Sequence, residues 1–258
     1  MHSIILTVHN KGWLIDKVMQ SIYINTDGPY ELIIVLDGCS DNSEEVVMRN
    51  KVEPNTFIHY APDVFETKAN NIGLKSAHGD KVIIIQDDMI INEPGWNLRM
   101  QKPFDAFSDV FAVTARTAHN WEYNPNSKHI DMSEDLDNCW CDIVNHTDHA
   151  QRHNTPRDVF AVRSSVNRGP LMIDHEVLQK MNYLNEQFAP QDMDDHDLCY
   201  RTYRELGKVC GCYWIDFITK DSWGGTRVGG EPAPWLYKAN HKNAKIFYKR
   251  HRDLIHMP

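Results

Sequence analysis

No run of the sequence approaches the roughly 20 apolar residues of a membrane-spanning helix. Its opening, "MHSIILTVHN", has neither the basic n-region nor the small-residue cleavage site of a signal peptide. The expectation is a cytoplasmic protein without an integral membrane segment, at most peripheral to a membrane. An excess of positive charge is also missing. Lys and Arg number 27 against 36 Asp and Glu, a formal net charge of −9. Such a surface does not coat nucleic acid, although it leaves room for one local anion site. The six cysteines form two C-x-C pairs, "CWC" and "CGC", but no C-x-x-C pair. These spacings miss the ligand patterns of structural zinc, so reduced and mostly buried thiols are expected. Repeats and low-complexity segments are absent.

What remains is ordinary globular composition, 41% apolar and 10% aromatic over 258 residues, enough for one large domain. The first half alternates strand and helix signals. "SIILTV" and "ELIIVL" are short Ile- and Val-rich runs suited to strands covered on both faces. Between them "WLIDKVMQSIYI" places Leu14, Val18 and Ile22 on one helical face. "SDNSEEVVMRN" opens a second helix, with Asp41 and Glu44 spaced as a capping box. "TFIHY" then reads as a strand, "TKANNIGLKSAH" as a helix and "KVIII" as a fourth strand. Strands alternating with helices predict a mainly parallel, doubly wound α/β sheet, with ligands bound outside the carboxyl ends of its strands.

The fourth strand runs directly into Asp87 and Asp88. A carboxylate taken out of water needs a partner, and two side by side need a cation or a solvent-filled cleft. Asp37 follows the second strand, so it reaches the same sheet edge. The pair therefore reads as a site. From Trp121 to Arg168 no period is sustained, and the segment reads as a long irregular connection over the active face. Order resumes with a strand at "GPLMID", helices at "HEVLQKMNYL" and "DDHDLCYRTYRELG", and a strand at "KVCGCYWID".

Taken in order, these segments resemble the family 2 glycosyltransferases, which have a GT-A fold. "IIVLDGCSDNSEEVV" is similar to the family's V-D-D-G-S-x-D segment, and "NNIGLKSAHGDKVIIIQDD" to the N-x-G stretch leading into D-x-D. "RGPLMID" and "FAPQDMDDHDLCYRTYRELG" resemble the acceptor-side strand and the E-D-x-D-L-x-x-R helix. The resemblance implies a Rossmann-like GT-A sheet with an acceptor-side C-terminal extension. Residues 1–116 would form the nucleotide-sugar half and residues 117–226 the acceptor and base half, with 227–258 a tail packing on the domain.

It also implies a metal-dependent, inverting transfer from a nucleotide-sugar, with a UDP-sugar indicated, to a hydroxyl of a glycan or glycolipid. Asp88 matches the Asp that holds Mn²⁺ or Mg²⁺, hard ions suited to carboxylate and phosphate oxygens. Asp87, Asp37, Thr7 and His9 would line the donor pocket, and Lys68 or Asn70 falls near its usual basic position. Asp195 matches the catalytic base, with Asp194 as the alternative. Asp197 and Arg201 read as an internal ion pair one turn apart.

Departures from the family pattern are equally visible. Gln86 replaces the first acid of D-x-D, and the stretch "TKDSWGGTRVGG" after the last strand holds no histidine, so that Asp221 would serve as a further metal ligand. "WGGTRVGG" would bring Arg227 over the diphosphate. The alternatives left open are a retaining GT-A enzyme and an inactive glycan-binding module of the same fold. His146, Asp148, His149 and His153 form a loop cluster read as solvated, and Trp121, Trp140 and Trp223 are the tryptophans best placed to stack on sugars.

Overall fold

The computed structural model describes residues 1–123, 139–145, 155–224 and 234–255. The first half is built of β1 (His2–Val8), α1 (Ile15–Asn25), β2 (Tyr30–Asp37), α2 (Ser43–Asn50), β3 (Thr56–Ala61), α3 (Phe65–Lys75) and β4 (Lys81–Gln86). There follow β5 (Ile90–Ile91), α4 (Trp96–Ala106), β6 (Val110–Thr114), β7 (Thr117–Tyr123) and β8 (Cys139–Asn145). The remainder comprises β9 (Ala161–Arg163), β10 (Ser165–Val166), β11 (Leu171–Asp174), α5 (His175–Lys180), α6 (Asp194–Leu206), β12 (Val209–Cys212), β13 (Phe217–Ile218) and α7 (Pro234–His251).

The main sheet has the order β3-β2-β1-β4-β11-β6-β12-β9. Strands β1 to β4 pair in parallel, β11 runs antiparallel between β4 and β6, and β12 returns parallel to β6. This is the expected mainly parallel α/β sheet. Period-two alternation along β1 distributes its apolar side chains to two layers. Ile4, Leu6 and Val8 pack with Leu14, Val18 and Ile22 near α1, whereas Ile5 faces the layer of Leu74. Gly73 lets α3 approach closely, since a Cβ there would lie 2.4 Å from Ile5 Cγ2.

After β3 the chain crosses back to place β4 on the other side of β1. The strand order therefore reverses at β1 and β4, and the crevice outside their carboxyl ends is the topological switch point.

Two local expectations change. Asp41 and Glu44 form no capping box: Asp41 accepts the Gly12 and Ser43 amides, and Glu44 accepts the Tyr60 hydroxyl. The span 121–168 is not simply irregular, because β7, β8 and β10 form a three-stranded sheet and β9 edges the main one. Its polar composition concealed the strands. Helix α6 ends where expected, at Gly207 in the left-handed region with φ 64°. Beyond it α7 buries Ala244, Phe247 and Tyr248 against Phe188, Met193 and Tyr200.

Candidate functional site

The carboxyl ends of β1, β2 and β4 converge through His9. Its backbone N–H donates to Asp87 Oδ2 at 3.0 Å, and its Nδ1 lies 2.6 Å from the Asp37 carbonyl oxygen. Thr7, half-buried, stands on β1 opposite Gln86 of β4 and Val35 of β2. Asp37 is buried, and its two carboxylate oxygens accept the amides of Val64 and Phe65 at the start of α3, at 2.7 and 2.9 Å. Gly38 turns the chain here with φ 61°, and a Cβ on it would lie 2.5 Å from that of Asp63.

Lys11 was not anticipated from the sequence. It is 1% exposed, donates from Nζ to the Trp223 carbonyl, and lies 3.5 Å from Asp87 Oδ1. Burial pushes the Asp87 carboxyl up to about 6 even against the charge of Lys11 and the His9 amide, and Asp88 adds repulsion. Burial likewise raises Asp88, with Lys11 and Arg116 opposing. Asp88 Oδ1 is buried and, among the described residues, has no hydrogen-bond partner. An acceptor-only oxygen without a donor, beside a second carboxylate, fits a hard divalent cation whose remaining ligands are phosphate and water. Among the described residues no group of three metal-ligating side chains assembles. Asp221 opens a 3₁₀ turn, but its side chain lies outside the described residues, as does that of Trp140. Arg227 and the cluster of His146, Asp148, His149 and His153 also lie outside them.

A polar chain leads from β4 to α6. Gln86, in place of an acid, accepts from Arg116 at 3.0 Å and donates to Glu66 Oε1 at 2.9 Å. Glu66 also accepts from Arg168 Nε at 3.0 Å. Arg168 is buried, grips both oxygens of Asp194 through its two terminal nitrogens, and donates its backbone N–H to Asp195 Oδ2 at 3.0 Å. Asp195 Oδ1 accepts the His196 amide at 2.9 Å. Burial raises the Asp195 carboxyl, the charge of Arg168 opposes and that of Asp194 adds to the rise. Asp194, fully buried and held by a bidentate cation, is the less available of the two acids. Asp192 is driven up to about 7, by burial and then by Asp195 and Asp194. Arg168, Glu66 and Asp192 escaped the sequence reading, because contacts across 102 residues leave no local pattern.

Other candidates separate from the cleft. Asn70 is 1% exposed and donates to the Glu66 carbonyl inside α3, whereas Lys68 is exposed on that helix. Trp121 is 7% exposed and packs with Phe247, so it fills the core rather than presenting a ring to a sugar. Asp197 pairs with Arg201 as expected and also with Arg250 and His251 of α7. A cavity of about 400 Å³ bordered by Arg163, Cys199, Tyr203 and Lys208 includes none of the candidate residues.

An α/β sheet with carboxylates gathered at its switch point has the ligand-binding crevice of a doubly wound domain. The family model for glycosyl transferase family 2 matches residues 3–169, more than half the chain. The chain belongs to that family. Comparison with curated proteins finds no match. Among solved structures, S. aureus TarS (1–349) in complex with UDP is similar at 15% identity and TM-score 0.53, covering 82% of this chain and 57% of that one. Glucosyl-3-phosphoglycerate synthase from Mycobacterium tuberculosis, in complex with Mn²⁺, UDP-glucose and phosphoglyceric acid, is similar at 16% identity and TM-score 0.61, covering 97% and 79%. GalNAc-T7 with UDP, GalNAc and Mn²⁺ is similar at 12% identity and TM-score 0.65, covering 98% and 49%. At these identities the likeness carries the fold, and the chain spans 57%, 60% and 44% of the length of three of the TarS chains it matches.

Proposed function

We propose that this chain is a metal-dependent, inverting glycosyltransferase that moves a sugar from a UDP-sugar to a hydroxyl of a glycan or glycolipid. The observation that carries the reading is the buried, unpartnered Oδ1 of Asp88 beside Asp87 at the switch-point crevice of a family 2 chain. The similar structures that contain UDP and Mn²⁺ support the same choice of donor and ion.

In this reading residues 1–116 bind the donor, residues 117–226 form the acceptor and base half, and 227–258 is the packing tail. Asp37 accepts the ring N–H of the uracil, a contact that rejects a base lacking it. Thr7 and His9 line the same pocket, whose positive charge comes from the buried Lys11. Asp88 holds Mg²⁺ or Mn²⁺, with Asp221 as the further protein ligand. The cation supplies charge neutralisation at the diphosphate leaving group. Lys11 and the His9 amide fix Asp87 for the ribose or sugar. Asp195 takes the proton of the acceptor hydroxyl, and its raised pKa makes it the stronger base. Arg168 fixes the orientation of Asp195 through its own backbone amide.

The test is incubation with UDP-sugars and Mn²⁺, following UDP release and the anomeric configuration of the product. Release that depends on Mn²⁺, with inversion, supports the reading. Retention of configuration would remove Asp195 from the role of base, and no release with any UDP-sugar would favour the binding-module alternative.

A further inference from the structure

Helix α7 carries a row of exposed cations. From Pro234 to Arg252 the sequence holds six Lys and Arg residues and no acidic one, in a chain of net charge −9. Lys238, Lys242, Lys245 and Lys249 recur at intervals of 4, 3 and 4 residues, which keeps them on one helix face. All four are exposed, and among the described residues none has an ion-pair partner. The opposite face is engaged: Leu236, Asn243, Ala244, Phe247 and Tyr248 are buried, and the Asn243 amide donates to the carbonyls of Phe188 and Gln191. The lysine row is therefore held rigidly outward. At 1.5 Å per residue it runs roughly 16 Å. Trp235 and Tyr237, 49% and 58% exposed, flank its N-terminal end.

We propose that this face of α7 docks the protein on an anionic lipid bilayer. The four cations are lysines, point charges drawn to a diffuse negative potential, whereas recognition of single phosphates favours the arginine fork. Exposed Trp and Tyr are the side chains that settle at the headgroup level. The rest of the surface is net acidic and is repelled, so this face alone approaches and the orientation is fixed. Trp235 meets Phe65 edge-on at 5.1 Å, and the Phe65 amide donates to Asp37, so docking holds the Asp37 side of the candidate cleft near the bilayer.

The experiment is co-sedimentation of the full chain with phosphatidylcholine vesicles and with vesicles that also contain phosphatidylglycerol. Binding to the anionic vesicles alone, weakening as salt is added, is expected. The fourfold variant Lys238→Gln, Lys242→Gln, Lys245→Gln and Lys249→Gln is expected to lower partitioning roughly a thousandfold. Its melting temperature and circular dichroism should match the parent, since all four side chains are exposed. Absence of binding to anionic vesicles would overturn the proposal. So would unchanged binding by the variant, or retention on heparin without vesicle binding. The measurement needs no nucleotide, so it can fail while the donor-binding reading stands.

Discussion

Asp87 and Asp88 are neighbours in sequence with different partners in space. Asp87 takes the His9 amide and the charge of Lys11, while Asp88 keeps a buried oxygen without a donor. Asp88→Asn is therefore expected to weaken Mn²⁺-dependent UDP binding more than about tenfold, the smallest cost reported for losing even an outer-shell partner of a metal site. Isothermal titration with and without Mn²⁺ measures it. Asp195→Asn should leave that binding intact and lower turnover by about 10²- to 10⁴-fold, the usual contribution of a general base. Near-normal turnover would remove Asp195 from its role. Arg168→Met leaves Asp194 buried without its cation, and breaking such a pair costs about 3–5 kcal/mol, readable as a lower denaturation midpoint. The acids were legible because each follows a strand or opens a helix in a recognisable motif. Their cations were not, because Lys11 and Arg168 acquire meaning only when segments 76 and 26 residues away fold against them.

At the level of elements, the parallel strands β1, β2 and β4 could be read from apolar runs because both their faces are covered, whereas the edge strand β3 leaves Phe57 and Tyr60 exposed. Strands β7 to β10 could not: β9 and β10 are only three and two residues long, β7 and β8 mix polar with apolar residues instead of forming a continuous apolar run, and their pairing is non-local. Helix α7 was hidden differently: its buried face includes Asn243 and His251, which read as surface residues until their partners are seen. His251 Nε2 lies 2.8 Å from Asp197 Oδ1, and Arg250 reaches the same oxygen at 2.8 Å. Asp197 thus joins α7 to α6, the helix that presents Asp194 and Asp195. Burial alone would raise its carboxyl, but His251, Arg201 and Arg250 hold it down to about 2. Asp197→Ala is expected to cost about 3 kcal/mol or more and to increase hydrogen exchange in α7 before the main sheet opens. Retained protection of α7 would contradict that linkage. At the β2 end, Gly38→Ala should destabilise by more than the about 1–2 kcal/mol of left-handed strain, because its Cβ would also lie 2.5 Å from that of Asp63.

For the whole molecule, the buried acids impose opposing pH dependences. Asp192 has a folded pKa of about 7 against an ordinary 3.8, so the folded state binds its proton more tightly, and its contribution to stability falls as pH rises from about 4 to 7. Asp197, held near 2, contributes stability that is present above about 3.8 and lost as the solution is acidified toward 2. Asp192→Asn should therefore raise the melting temperature relative to the parent at pH 8 and do so less at pH 4. An equal shift at both values would show that Asp192 is not titrating in the folded protein. The central claim, that the switch-point crevice holds a uridine diphosphate through a divalent cation, is tested most directly by thermal unfolding with a panel of nucleoside diphosphates, with and without Mn²⁺. A ligand that binds only the folded state raises the transition by mass action. The account predicts a rise with UDP that requires Mn²⁺; no rise with any nucleotide under either condition would contradict it.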